Sequence, residues 1–254
     1  QYTLSMGTFK NYLYVSATKK LPLAWLAPMG CDIIRISKND DWQLVVGSKP
    51  VIPSPTSKGI RTNSLSGFNS GFNNPFNVYA WQIKEYEDKL LISTFDDSSN
   101  MEVILEFLIN NKIAIENKIG ATTTNTLIKI YKSIVSQLNS IRYPFGFDLY
   151  ESIDGINFTP IFLNGFANKY NYGGRTLFVD SSNTLYIGTA NPFQGCEVWK
   201  VKSKSKDIHC YSKAQNYRCL LTIKKEINDN LELLDNYMPI LLNAITQENN
   251  YNFF

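Results

Sequence analysis

Carboxylates are the side chains of this chain best suited by type to acid–base chemistry. Asp96, Asp148 and Glu197 are candidates for glycoside hydrolysis, which uses two carboxylates about 5 to 10 Å apart. Asp148 and Glu197, however, each follow a glycine by two positions, in a phrase that also contains Asp32. An acid repeated in this way is more economically explained as a structural hydrogen-bond acceptor than as a catalytic group. We therefore assign no catalytic residue from the sequence.

Residues for metal or cofactor chemistry are scarce. His209 is the only histidine, which argues against a His-dependent triad and a His-based metal site. The four cysteines, Cys31, Cys196, Cys210 and Cys219, lack Cys-x-x-Cys spacing, so a structural zinc site is not predicted. No glycine-rich phosphate loop is present either. We predict no metal and no cofactor.

The repeated acids belong to a phrase that occurs three times, at Gly30–Arg35, Gly146–Glu151 and Gly195–Lys200. A strand-like segment precedes each copy. A second motif, Gly71–Asn77, recurs as Gly165–Asn171 in the same order relative to the strands. Four short strands separated by Gly, Asn and Asp turns are typical of a propeller blade. We predict a mainly β fold, a partial or incomplete β-propeller of about three four-stranded blades over residues 1–202.

One predicted hairpin carries a family resemblance. The segment Ser152–Phe158 resembles an Asp-box, the hairpin of sialidase-type (BNR) repeats, with Phe158 in place of the usual Trp. Ser37–Trp42 resembles a shortened copy without the glycine. The resemblance covers about residues 1–100 and 143–202, which are similar to uncharacterised microbial propeller repeats. The sequence leaves the location unknown, and the resemblance favours an extracytoplasmic one. Turn chemistry gives its residues a structural role, as hydrogen-bond acceptor, permissive glycine and packed ring: Ser152, Asp154, Gly155 and Phe158.

A propeller would place its ligand at the mouth of the central channel, which is lined by the first strand of each blade. Trp81 and Arg175 occupy equivalent positions near that strand, and aromatic faces with an arginine suit a sugar or an acidic group. Four neighbours would rim the same mouth: Asn77, Tyr79, Asn171 and Tyr172. The alternative for Asn77 and Asn171 is that each caps its own turn.

Two stretches depart from the strand pattern. Apolar residues at three-and-four spacing predict a helical hairpin inserted at about 101–142, with capping candidates at 122–124. A basic linker and helical tail are predicted for 203–254, with Pro239 kinking or dividing the helix 223–245. These amphipathic helices either pack on the propeller and on each other or present a partner surface.

Composition excludes several classes of partner. The chain of 254 residues carries a net charge of +3, which is too mild to predict nucleic-acid binding. No apolar stretch approaches the roughly 18 residues of a membrane span. Cys31 and Cys196 hold equivalent repeat positions, so each is predicted to be a small buried hydrophobe. Three blades do not close a ring, which leaves three explanations open: further blades upstream, a diverged element supplied by the segment from residue 202, or self-association of chains if the ring is incomplete.

Two functional hypotheses follow. The preferred one is a non-enzymatic recognition scaffold that binds a glycan or a protein. The alternative is a carbohydrate-active enzyme, sialidase-like or another glycosidase, with unidentified catalytic carboxylates. The resemblance would then imply an arginine cluster for the substrate carboxylate, and such a cluster cannot be assembled, because Arg175 alone falls where a channel residue is expected.

Overall fold

A computed structural model describes residues 2–21, 23–49, 55–56, 59–60, 62–201 and 217–247. The predicted mainly β class is confirmed. Its strands form a four-stranded sheet and a seven-stranded sheet that curls into a half-barrel. The predicted basic linker, with His209 and Cys210, lies outside the described residues, and so does the side chain of Cys219.

The four-stranded sheet is an antiparallel meander, named meander 1. Its strands are rich in aromatic and β-branched residues and pair in chain order. They are β1 (Tyr2–Phe9), β2 (Tyr12–Thr18), β3 (Asp32–Ile36) and β4 (Trp42–Val46). A short helix, α1 (Leu23–Leu26), occupies the connection from β2 to β3. The two-residue strands β5 (Pro55–Thr56) and β6 (Gly59–Ile60) form a separate ladder after β4.

Meander 2 repeats this order. Its strands are β7 (Asn77–Tyr86), β8 (Lys89–Asp96), β9 (Leu149–Ser152) and β10 (Thr159–Phe162). Each pairs antiparallel with the next, although β8 and β9 are separated by the whole helical insertion. The insertion therefore occupies the same connection as α1, between the second and third strands, and leaves the strand order intact.

Meander 3 consists of β11 (Gly173–Val179), β12 (Leu185–Ala190) and β13 (Val198–Lys200). Within the described residues it has three strands, where a fourth was predicted. A single pairing, Gly173 with Phe95, joins β11 to β8 and merges meanders 2 and 3 into one seven-stranded sheet.

The helices differ in number and division from the prediction. The insertion forms three helices instead of a hairpin: α2 (Ser98–Asn110), α3 (Lys112–Ile119) and α4 (Ala121–Ser140). The tail forms α5 (Tyr217–Asp229) and α6 (Leu231–Gln247). The break falls at Asn230, whereas Pro239 lies inside α6, where it removes one backbone donor without ending the helix. Thr124 does not cap α4 but donates to the carbonyl of Gly120.

The apolar stripes of these helices face one another and form a helical core. Its fully buried members come from the short helix, the insertion and the tail: Leu26, Met101, Leu108, Leu127, Ile134, Ile223, Ile227 and Leu241. The hydroxyl of Tyr131 in α4 donates to the carbonyl of Leu26 in α1 at 2.7 Å. Burial of these stripes stabilises the insertion and the tail together, since an amphipathic helix gains most from covering its apolar face.

The repeated motif Gly71–Asn77 and Gly165–Asn171 forms the same turn twice. Each copy opens with three consecutive residues at φ between 55° and 68°, a left-handed turn. Such backbone costs about 1–2 kcal/mol for each residue with a Cβ. The ring at the second position of each copy stacks on an aromatic ring of its own meander's third strand. Phe72 lies 4.0 Å from Tyr150, and Phe166 lies 4.4 Å from Trp199, between ring centres.

The close contact with this turn explains why each of these two copies of the repeated phrase begins with glycine. A Cβ on Gly146 would come within 2.9 Å of the Gly165 Cα, and one on Gly71 within 2.9 Å of the Gly30 Cα. The phrase and the turn of the next meander therefore touch backbone to backbone, which only glycine permits. The residue after the glycine then bonds the turn twice, Phe147 to Asn171 and Gly165, as Cys31 does to the corresponding turn.

Candidate functional site

The acids of the repeated phrase are anchored by asparagine. The side-chain amide of Asn77 donates to Asp148 at 2.8 Å and to the carbonyl of Gly71 at 3.0 Å. Asn171 repeats this pattern, donating to Glu197 at 2.9 Å and to the carbonyl of its own turn at 3.0 Å. Hydrogen bonds from Asn171, Asn168 and Trp199 outweigh partial burial and lower the pKa of Glu197. These acids fasten a turn to a third strand, which is a structural task.

Asn77 and Asn171 therefore do not rim a channel mouth. Both side chains are fully buried, because each sits beneath the turn that it caps. The first copy of the acid, Asp32, is also buried and accepts from Ser70 at 2.6 Å, with Lys19 at 3.2 Å. Each asparagine instead caps its own turn, which was the alternative considered for both.

The other predicted ligand residues come together in an aromatic cluster, which we name the platform. It lies where β7, β8 and β11 meet helix α1, and its members are Trp25, Tyr79, Trp81, Phe95 and Tyr172. Phe95 lies at its centre, 4.9 Å from Tyr79, 5.4 Å from Trp81 and 4.9 Å from Tyr172 between ring centres. Trp25 donates its indole N–H to the hydroxyl of Tyr79. The side chains of Trp25, Trp81 and Tyr172 are half-buried, so ring surface remains accessible.

Arg175 completes the platform. Its guanidinium carbon lies 4.9 Å from the centre of the Trp81 ring, a cation–π contact that fixes the two side chains relative to each other. Trp81 in turn lies flat against β11, because a Cβ on Gly173 would come within 2.2 Å of the indole. Arg175 is exposed, and it also borders an open cleft of about 650 Å³ that includes Thr176, Phe178 and Tyr186.

A buried carboxyl group lies beneath the platform. Asp97 is fully buried at the start of α2, and Asn100 donates to its Oδ1 at 2.6 Å. Its Oδ2 has no hydrogen-bond partner among the described residues. Burial, followed by the nearby Asp96, raises the pKa of Asp97 well above its ordinary value. A raised pKa is a property of carboxyl groups that act as general acids.

Asp97 also acts on the platform. Burial raises the pKa of Tyr79 and of Tyr172, and the negative charge of Asp97 raises both further. The two phenols consequently remain neutral hydrogen-bond donors at ordinary pH. A ligand on the platform would therefore meet aromatic faces, phenol hydroxyls and one guanidinium group.

Asp96 has a different role from its neighbour. It ends β8, and its carboxylate accepts from the Ser98 N–H at 2.9 Å, from Asn74 at 3.2 Å and from Tyr143. Burial, and then the charge of Asp96, raise the pKa of Tyr143 well above its ordinary value. Asp96 is thus a turn cap tied to the insertion, like Asn191 in meander 3, which accepts from the N–H groups of its own turn.

Sequence reasoning missed Trp25, Phe95 and the burial of Asp97. Trp25 belongs to a four-residue helix, which is too short for periodicity to show. Phe95 could have been identified from the sequence, because it is an aromatic residue at the end of a predicted strand. Asp97 precedes two serines and resembles a loop acid, and only the packed helices make it a buried one.

The segment Ser152–Phe158 forms a self-capped hairpin between β9 and β10. Ser152 accepts from the Gly155 N–H at 2.8 Å, and Asp154 accepts from the N–H groups of Ile156 and Asn157 at 2.8 and 2.7 Å. Partial burial opposes ionisation of Asp154, but these bonds, with those from the Asn157 amide and Ser152, outweigh it and lower its pKa. Phe158 is buried against meander 1.

Two lysines border a small pocket beside α5. Lys224 of α5 and Lys19 border a small pocket of about 170 Å³ with Ser70 and Asn228. Burial, together with Lys19, lowers the pKa of Lys224, while Asp32 opposes the shift. Lys19 is itself paired with the buried Asp32 at 3.2 Å.

Within the described ranges, no three Asp, Glu, His or Cys side chains converge on a point where they could ligate a metal. None of the helices in the described part of the chain combines the length and the apolar character needed to cross a bilayer. In comparisons with protein-family models, with curated proteins and with solved structures, nothing matched this chain.

Proposed function

We propose that the chain is a non-enzymatic recognition protein that binds a glycan on the platform. The observation that carries the proposal is the set of half-buried rings around Phe95, with Arg175 fixed over Trp81 at their edge. Stacked ring faces bind the apolar faces of sugars, and a guanidinium group binds a carboxylate through two parallel hydrogen bonds. The preferred ligand is thus an acidic glycan, one that carries a uronic or sialic acid.

In this proposal the three meanders are blades of an incomplete propeller of the Asp-box type. Three features support it. Each meander runs in chain order, the first strands β1, β7 and β11 lie side by side, and the same turn links each meander to the next. The platform then lies at the end of the first strands, where a propeller channel opens.

A glycan array tests the binding proposal. The protein should bind acidic glycans, and Trp81→Ala and Arg175→Ala should each weaken binding by about tenfold, equivalent to about 1.4 kcal/mol. Matched controls are Trp42→Ala, a half-buried tryptophan of β4, and Arg142→Ala, an exposed arginine after α4. Absence of binding to any glycan, or equal losses in the controls, would contradict the proposal.

One observation favours the second candidate, a carbohydrate-active enzyme. Asp97 is a carboxyl group with a raised pKa close to two platform phenols, as a general acid requires. Turnover of chromogenic glycosides that is abolished by Asp97→Asn would favour the enzyme. Binding without turnover would favour the recognition protein.

A further inference from the structure

The first two meanders bury the same positions against the meander that follows. Strand registers make Cys31 and Ile33 of meander 1 equivalent to Phe147 and Leu149 of meander 2. All four side chains are buried, the first pair against meander 2 and the second pair against meander 3. We name this side of a meander its leading face.

The leading face of meander 3 is open. Cys196, which was predicted to be buried like Cys31, is exposed, and Val198, at the position of Leu149, is 73% exposed. A Cβ on Gly195 would meet no atom within 4 Å, unlike one on Gly146. Among the described residues none bonds the backbone of Cys196, although its two counterparts each make two such bonds. Meander 3 thus has the sequence of a covered face, although no described residue covers it.

The opposite side, the trailing face, shows the reverse pattern. Ile83 and Leu90 of meander 2 are buried against meander 1, and Leu177 and Leu185 of meander 3 are buried against meander 2. The positions in meander 1 that correspond are apolar but open. Met6 is 61% exposed and Leu13 is 36% exposed. Among the described residues, meanders 1 and 3 thus each expose a face whose counterparts pack against each other inside the fold.

The internal contacts also specify how the open faces would meet. Gly7 of β1 lies directly against Ile83 of β7, with a Cβ on Gly7 falling 2.8 Å from the Ile83 Cγ2. Phe178 holds the position of Gly7 in meander 3, and Met6 holds the position of Ile83 in meander 1. Phe178 is also exposed, at 57%. A Cβ at the Gly7 position would lie 2.7 Å from the Ile83 carbonyl oxygen, so Phe178 would neighbour the Met6 of another molecule at a wider spacing than Gly7 has from Ile83.

We infer that the leading face of meander 3 binds the trailing face of meander 1 in a second copy of this chain. The contact is heterologous, and such contacts close into a ring when the rotation permits. Two copies form such a ring through two identical contacts. The closed dimer contains six meanders, within the four to eight of known propellers, and its interface continues the internal one between successive meanders.

Light scattering after size exclusion tests the inference on the full chain. We expect twice the mass of the chain for the wild type and loss of the dimer in Met6→Asp and in Val198→Asp. Ile113→Asp is the matched control, because Ile113 of α3 is 76% exposed and lies on neither face. A mixture of the Met6→Asp and Val198→Asp chains retains one intact leading face and one intact trailing face, so mixing should restore a dimer.

A cross-link tests the register. In a background with Cys196, Cys210 and Cys219 changed to Ser, the double variant Met6→Cys with Phe178→Cys should form a disulfide between chains on mild oxidation, whereas Ile113→Cys with Phe178→Cys should not. A wild type that stays monomeric at every concentration overturns the inference. So does a dimer that survives both face variants, since another surface would then hold it. Phe178, Cys196 and Val198 line the cleft that Arg175 borders, whereas Met6 does not, so the Met6→Asp variant shows whether glycan binding succeeds or fails independently of the dimer.

Discussion

Asn77 donates its side-chain amide to Asp148 at 2.8 Å, and so ties the turn that opens meander 2 to the third strand of the same meander. Asn77 is also bonded through its carbonyl to Cys31 of meander 1. One residue thereby links two meanders, and Asn171 does the same one repeat later. The repeated motifs thus connect successive meanders of the fold.

We expect Asn77→Ala to lower the free energy of unfolding by about 2–3 kcal/mol, because it leaves a buried carboxylate without one of its donors. Chemical denaturation measures the change. Asn139→Ala, at an exposed position of α4, is the control and should change stability by less than about 0.5 kcal/mol. A double-mutant cycle with Asp148→Asn should show coupling between the two sites. Additive effects would contradict the direct link.

The chemistry of the ligand is tested by Arg175→Lys. Lysine keeps the charge but loses the planar fork, so binding of an acidic glycan should fall about tenfold while a neutral glycan is unaffected. The melting temperature should remain within about 2 °C of the wild type, since Arg175 is exposed. A large fall in melting temperature for this variant or for Trp81→Ala would show that the platform is a core element.

Asp97 should make stability fall as pH rises. Its pKa is raised in the folded state, so between the unfolded value of about 3.9 and the folded value the folded chain binds more protons than the unfolded one. Asp97→Asn removes this dependence and keeps the oxygen that accepts from Asn100. We expect the variant to be more stable than the wild type at pH 7, with the difference shrinking towards pH 4. Asp229→Asn, at an exposed site in α5, should show no such trend.

Asp154 should have the opposite dependence. Its pKa is lowered by the hairpin hydrogen bonds, so its contribution is complete above the unfolded value of about 3.9 and is lost as pH falls through the folded value. Asp154→Ala should cost about 1 kcal/mol at pH 7 and less in strong acid, followed by thermal unfolding across pH. Asp40→Ala, in the corresponding hairpin of meander 1, is the comparison and should cost less. Equal costs would show that the hairpin bonds do not stabilise the fold.

Local patterns explain which features could be predicted from the sequence. Alternating apolar residues and Gly or Asn turns identify strands such as β2, β8 and β12, and three-and-four spacing identifies α4. The helix breaks were not predicted, because Asn111 and Asn230 are weaker signals than Pro239, which α6 accommodates.

Local sequence patterns cannot predict a property that depends on where a repeat lies in the series. Cys31 and Cys196 occupy the same place in the same phrase, yet Cys31 is buried against meander 2, whereas in the described part of the chain no meander covers the exposed Cys196. Likewise, the platform residue Trp25 reaches Tyr79 through a helix that interrupts the repeat.

The connection between the second and third strands holds four helical residues in meander 1 and three whole helices in meander 2, without a change in strand order. In meander 3 the same connection is the short segment between Ala190 and Val198. Protein engineers could exploit this tolerance, because a reporter domain spliced there would be carried at a fixed place on the scaffold while the β-ladders fold as before.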